Sequence, residues 1–375
     1  MKLYMKKGER LLSLDALRGF DMFFIMGGGS LLLAVASFLP ADCAAVFAEQ
    51  LGHKEWHGLA FYDLIFPLFL FLAGVSFPFS LDKQLSAGKD RSAVSLRCIK
   101  RGLMLILLGV LYNGLLQFDF ENLRYASVLG RIGSAWMIAS LVYLWMGKRV
   151  AVFVSVALLL GYWALLALFL APDAPVGASC FSMEGCIVGY VDRLLLPGRL
   201  HLGIHDPEGL LSTLPAVVTA MAGIFTGEYV RTSSKSGYRK ALSMTVAAVA
   251  LLAVGYLWGN LFPVNKNLWT SSFVCCAAGW SLLLFALFYL MVDVLGWRRW
   301  TFFFRVIGMN SITIYLAQQF LDFYKPVETF FDKNAGFVTV DDFCVAIFFP
   351  QISLSAFSCS ARRRKKDGFV VCGYK

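Results

Sequence analysis

Ionisable side chains in the first seventy residues fall inside or beside strongly apolar runs, where charge is costly and defaults to a functional reading. Asp15, Arg18 and Asp21 are spaced i, i+3, i+6, so a helix would set them on one face. That face would either anchor a charged substrate or serve as an ion-pair cluster that fixes the first helix. His53 stands just ahead of a second apolar run, with Trp56 and Gly58 close behind and Asp63 ten residues on. Imidazole is the side chain best matched to general-base or acyl-carrying work near neutral pH. The plainer alternative is an interfacial histidine beside an aromatic anchor, Trp56. Asp63 within an apolar run needs a partner, and either orienting a histidine or pairing with Arg18 would supply one.

All four histidines lie in two connections, as His53/His57 and His201/His205, each pair spaced i, i+4. Four imidazoles can make a zinc site, but no acidic ligand pattern accompanies them and no CxxC occurs, so no metal is expected. Three turn-to-helix junctions could hold an anion on free N–H groups or simply be caps. They are Asp206-Pro207-Glu208-Gly209, Trp269-Thr270-Ser271-Ser272 and Gly308-Met309-Asn310-Ser311. Arg131, near the start of an apolar run, suits a phosphate or a carboxylate, or pairs with an acidic neighbour.

The elements that must position these groups follow from composition. The chain has 375 residues, 58% hydrophobic and only 15% charged, with a mean hydropathy of +0.67. That excludes an ordinary soluble domain and predicts an all-α, polytopic transmembrane helix bundle forming one domain over residues 1–375. About ten spans are expected, at 19–39, 59–81, 102–118, 126–147, 150–171, 210–230, 241–262, 268–294, 301–324 and 337–358. The first carries Asp21 and Gly27-Gly28-Gly29 and is read as a span, not as a cleavable signal peptide.

The net charge of +10 is read as topology. Lys and Arg alternate between connections, 25 on one side against 7 on the other, with Arg18 and Arg131 within or near spans. By the positive-inside rule both termini are cytoplasmic, and no nucleic-acid partner is implied. Lys100 and Arg101 fall on the cytoplasmic side. Two outer connections, 40–58 and 172–209, are long enough to suggest a function. Cys180 and Cys186 share the second, and a disulfide between them is left open. The basic tail after Pro350 is either a cytoplasmic extension or part of a longer last helix.

These motifs, in this order, resemble the transmembrane heparan-α-glucosaminide N-acetyltransferase family and its bacterial, DUF5009-like relatives. The matching stretches are Ser13–Gly19, Gly27–Gly29, His53-x-x-Trp56-x-Gly58, Asp63–Pro67, Val128–Gly133, Asp206–Gly209, Asn267–Ser272 and Gly308–Ser311, and the resemblance runs from about residue 10 to 325. It implies a bacterial inner-membrane enzyme that moves an acetyl group from cytoplasmic acetyl-CoA to an amino sugar or glycan on the other side. His53 matches the family's catalytic histidine. Asp63 would orient it. Arg131, Arg101, Lys100 and Asn310 become candidates for acetyl-CoA, and Asp15, Arg18, Trp56, Glu208 and Trp269 for the acceptor. The alternative on the same scaffold is an N-acetylglucosamine permease; a homodimer is left open. The chain departs from the family at Ile25 and Met26, where the family has an Asn and an aromatic residue, and at Gly130, where the family has a Gln.

Overall fold

The computed structural model describes residues 11–320. They form α1 (Leu12–Phe23), α2 (Gly29–Ala36), α3 (Ala41–Leu51), α4 (Ile65–Ser86), α5 (Arg91–Tyr112), α6 (Val128–Leu168), α7 (Ile187–Leu195), α8 (Thr213–Thr232), α9 (Gly237–Trp258), α10 (Ser271–Phe288), α11 (Thr301–Met309) and α12 (Ser311–Phe320). Among the described residues there is no strand beyond two isolated bridges, Arg124 with Gly198 and Leu170 with Cys186. The all-α expectation holds.

The count of about ten spans is not confirmed. Six helical stretches among the described residues are long and apolar enough to cross a membrane: Leu12–Ala36, Phe61–Ser86, Val128–Leu168, Thr213–Thr232, Gly237–Trp258 and Ser271–Val294. They mark an integral membrane protein. The expected spans 126–147 and 150–171 both fall on α6, which breaks at Gly147 (φ 72°, ψ 175°). The chain reverses there. Tyr162 Oη donates to the Leu268 carbonyl at 2.6 Å, and the Arg131 guanidinium lies 4.9 Å from the Trp269 ring. A straight helix would hold residues 131 and 162 roughly 46 Å apart. The expected 102–118 span corresponds to α5, whose first half carries Arg91, Arg97, Lys100 and Arg101. The expected span 301–324 is divided into α11 and α12 by a non-helical Asn310 (φ −121°, ψ 18°). The 337–358 span and the basic tail lie outside the described residues.

Small residues let the helices approach closely, as in membrane bundles generally. On α4 and α8, Gly74 faces the Ala220 carbonyl and Gly223 the Phe71 carbonyl, with no room for a Cβ on either. Gly19 and Gly308 do the same for α1 against α11. Ion pairs at one end of the bundle join Arg231 to Asp82 (2.8 Å) and Lys148 to Glu228 (2.9 Å). The connections that carry three basic groups therefore meet at that end. His53, Arg124, His201 and Lys266 gather at the opposite end, around a cavity.

Candidate active site

The first span is interrupted where the site begins. Residues Phe24–Gly28 are π-helical, and Gly27 takes φ 106°, a conformation open to glycine. The Phe24 carbonyl is captured by the Tyr62 hydroxyl at 3.0 Å. Tyr62 in turn sets its ring edge-on to the His53 imidazole, centroids 5.1 Å apart.

Tyr62 and Asp63 belong to a short 3-10 turn, Phe61–Leu64, that opens the second span. One oxygen of Asp63 is tied to this local backbone. Oδ2 accepts from the N–H groups of Ala60 (3.1 Å) and Lys54 (3.4 Å). The other, Oδ1, lies 2.8 Å from His53 Nδ1 and accepts from Lys266 Nζ at 3.2 Å. Lys266 Nζ is also 3.1 Å from the same Nδ1. A ring nitrogen makes only one such bond. The shorter contact and the anionic acceptor favour Nδ1–H donating to Asp63, with the ammonium serving the carboxylate. That tautomer leaves the Nε2 lone pair free. Asp63 is 1% exposed and His53 55%, so a buried carboxylate holds an accessible imidazole.

The loop carrying His53 is laced to the loop before α10. Beyond the Lys266 contact, Asn267 Nδ2 donates to the Glu55 carbonyl (3.0 Å), Asn265 Nδ2 reaches His57 Nδ1 (3.3 Å), and Gly58 N–H donates to the Val264 carbonyl (2.8 Å). Burial lowers the pKa of His57, which keeps its Nδ1 an acceptor for the Asn265 amide. The partner loop ends in Trp269, a non-glycine residue at φ 52° and 1% exposed. Its indole donates to Thr219 at 3.3 Å. Such backbone strain persists only where packing over-determines it, and here it sets the turn that offers Lys266 and Asn267 to the cavity.

A third wall comes from the connections before α6 and α8. Arg124 donates to Asp206 Oδ2 (2.8 Å) and Oδ1 (2.6 Å), and also to Glu208. Burial opposes ionisation of Asp206, but Arg124 and the N–H groups of Glu208 and His201 hold its carboxyl below the usual range. His205, fully buried, bonds through Nε2 to the Asn267 carbonyl at 3.1 Å, and burial drops its pKa to about 4. Asp192 accepts from Leu210 N–H at 2.9 Å, and burial pushes its pKa up to about 7.

Two cavities result. The larger, of about 590 Å³, has His53, Asp63, Arg124, His201, Glu208 and Lys266 among its polar wall residues, above a floor that includes Met22, Phe66, Phe69 and Ile132. The smaller, of about 200 Å³, is lined by Arg18, Arg101 and Asn310 with Phe69, Ala73 and residues 308–313. Among the described residues no group of three or more His, Cys, Asp or Glu could hold a metal. Cys180 and Cys186 are both free thiols.

The sequence candidates therefore separate. His53, Asp63 and Glu208 meet at the larger cavity; Arg18, Arg101 and Asn310 meet at the smaller. Arg18 also donates to the Leu72 carbonyl (3.4 Å), and Arg101 lies 4.6 Å over the Trp136 ring. The remaining candidates line neither cavity. Lys100 is exposed on α5, and Asp15 is buried where α1 meets Gly308. Trp56 bonds to the Phe181 carbonyl (2.8 Å) and packs on His205. Arg131 is 2% exposed and donates to the Gly209 carbonyl (3.2 Å) and to Ser212, beneath Trp269. Sequence reasoning missed Lys266, Arg124 and Tyr62. Lys266 sits 203 residues from Asp63, and no spacing rule links them.

Comparison with known proteins agrees with the motifs. Residues 10–115 match the family model described as "Domain of unknown function (DUF5009)". The chain is 26% identical to heparan-alpha-glucosaminide N-acetyltransferase of Mus musculus over 332 residues, covering 74% of this chain and 50% of that protein. It is 27% identical to its namesake from Homo sapiens over the same extent. The chain spans about half the length of these curated relatives. Over most of its length the chain is thus distantly similar to heparan-alpha-glucosaminide N-acetyltransferases, and its first third matches the DUF5009 model.

Proposed function

We propose that the chain is a single-domain membrane N-acyltransferase that moves an acetyl group from cytoplasmic acetyl-CoA to the amine of an amino sugar or glycan on the opposite side of a bacterial inner membrane. The observation that carries this reading is His53, accessible at a cavity and held through Nδ1 by buried Asp63. The relatives' names supply the reaction class. Support for a donor site comes from the second cavity, where Arg18 and Arg101 carry guanidinium groups suited to CoA phosphates and Asn310 adds an amide.

In this reading the neutral His53 Nε2 is the general base. The acceptor nitrogen attacks the thioester carbonyl, a C–N bond forms and the C–S bond breaks. The proton lost by nitrogen passes to Nε2 and is returned to the departing sulfur, which leaves as the thiol. Asp63 fixes the tautomer and stabilises the imidazolium while it exists. Lys266 balances the Asp63 charge. Glu208 and Arg124 face the acceptor. Arg131 and Trp269 act at one remove, by fixing the loops that carry Glu208 and Lys266.

The test is radiolabelled acetyl-CoA with a panel of amino sugars on the purified chain in detergent or nanodiscs. Label transferred to the sugar amine is the expected result. A protein that moves N-acetylglucosamine into vesicles but never consumes acetyl-CoA would be a permease, and the enzyme reading would be abandoned.

A further inference from the structure

The two cavities stack along the bundle axis. On α4 and the turn before it, the larger touches Tyr62, Asp63, Ile65, Phe66 and Phe69, and the smaller touches Phe69 and Ala73. On α1 and the π-helical residues after it the order is reversed: Met22 and Ile25 line the larger cavity and Arg18 the smaller. Three residues are common to both linings, Phe69 on α4 and Ser311 and Ile312 in the first turn of α12. They form a septum. Its α12 side begins directly after the non-helical Asn310, at the break between α11 and α12.

Resting on the acyltransfer reading, we infer that Phe69 and Ile312 determine the acyl group by size, admitting a two-carbon acyl group to His53 and refusing longer ones. The nucleotide end of an acyl-CoA is held by phosphate charge on the side of Arg18 and Arg101. The thioester must still reach His53 in the other cavity. Among the described residues the wall common to both cavities is the septum, so the acyl end crosses it. The larger cavity cannot make the selection, because about 590 Å³ far exceeds what an acetyl group occupies. Phe69 and Ile312 have no side-chain donor or acceptor. They can read the volume of an apolar chain and nothing else about it. Hydrophobic walls discriminate by roughly 10- to 200-fold per methylene, enough to set a donor preference.

The experiment compares kcat/KM for acetyl-, propionyl-, butyryl- and hexanoyl-CoA with one amino-sugar acceptor, using the full chain. The wild type should prefer acetyl. Phe69→Ala and Ile312→Ala should each raise the butyryl-to-acetyl ratio by about tenfold or more. Phe69→Trp should cut acetyl transfer while CoA affinity, measured by calorimetry, stays near wild type. Ile312→Val serves if either alanine variant fails to fold, with a smaller rise in the same ratio expected. An unchanged ratio in folded, active septum variants overturns the proposal and leaves acyl transfer standing. A wild type that transfers no acyl group from any donor overturns both.

Discussion

At the residue scale, the proposed mechanism separates His53, which would do chemistry, from the groups that hold it. His53→Ala should lower acetyl transfer by about two to four orders of magnitude, the usual cost of a lost general base, with the fold and acyl-CoA binding retained. Asp63→Asn should also lose activity, because an amide can donate to Nδ1 and so favour the wrong tautomer. His57→Ala should cost far less, since its Nδ1 is taken by the Asn265 amide. Steady-state rates beside calorimetric CoA binding separate these outcomes, and near-normal turnover in the His53 variant would end the general-base assignment. The sequence made His53 and Asp63 legible because they lie ten residues apart within one motif and a buried carboxylate demands a partner. Lys266 was illegible, because its place depends on a turn forced by the positive φ of Trp269. Arg131 was visible as a buried cation, but which acceptor it meets is decided by packing: it found Gly209 and Ser212 at the head of α8.

At the element scale, α7 and the connection from it to α8 hold two buried groups that respond oppositely to pH. Burial raises Asp192 to about 7, so the folded protein binds its proton more tightly than the unfolded chain. That contribution is full below the unfolded carboxylate range, near 4, and is lost as pH rises through about 7. Burial drops His205 to about 4, so its contribution is full above its unfolded value near 6.5 and is lost as pH falls through about 4. Over the same window the two slopes oppose each other. Asp192→Asn should unmask the histidine, giving a melting temperature that rises from pH 4 to 6.5 more steeply than wild type. His205→Gln should tilt it the other way. Thermal unfolding across pH in one detergent measures both, and parallel profiles for all three proteins would contradict the assignment. Arg131→Ala should lower the melting temperature too, by removing a peg between α6 and α8, while CoA affinity of the folded fraction is unchanged.

At the scale of the whole molecule, helix identity was readable from apolar length, but the number of crossings was not. The α5 region pairs an apolar second half with four cations, and α11 and α12 are divided at Asn310, which a hydropathy window cannot see. The reversal at Gly147 was readable, because Lys148 and Arg149 punctuate two apolar runs. The gathering of basic groups at one end was readable as well. The basic groups at 83–101, 148–149 and 231–240 belong to connections that the Arg231–Asp82 and Lys148–Glu228 pairs bring to one end. The His53 cavity opens at the other. On the proposed function, that arrangement and the 25-to-7 division of Lys and Arg would set the smaller cavity toward the cytoplasm and His53 toward the acceptor. Single cysteines placed at exposed Gly203 and exposed Lys235, in a background with the native cysteines replaced, test this directly. A membrane-impermeant maleimide applied to intact cells should label position 203 and reach position 235 only after permeabilisation. Labelling in the reverse order, or of both positions from one side, would place the donor and acceptor cavities on the wrong faces. Transfer across the membrane would then give way to a reaction completed on one side.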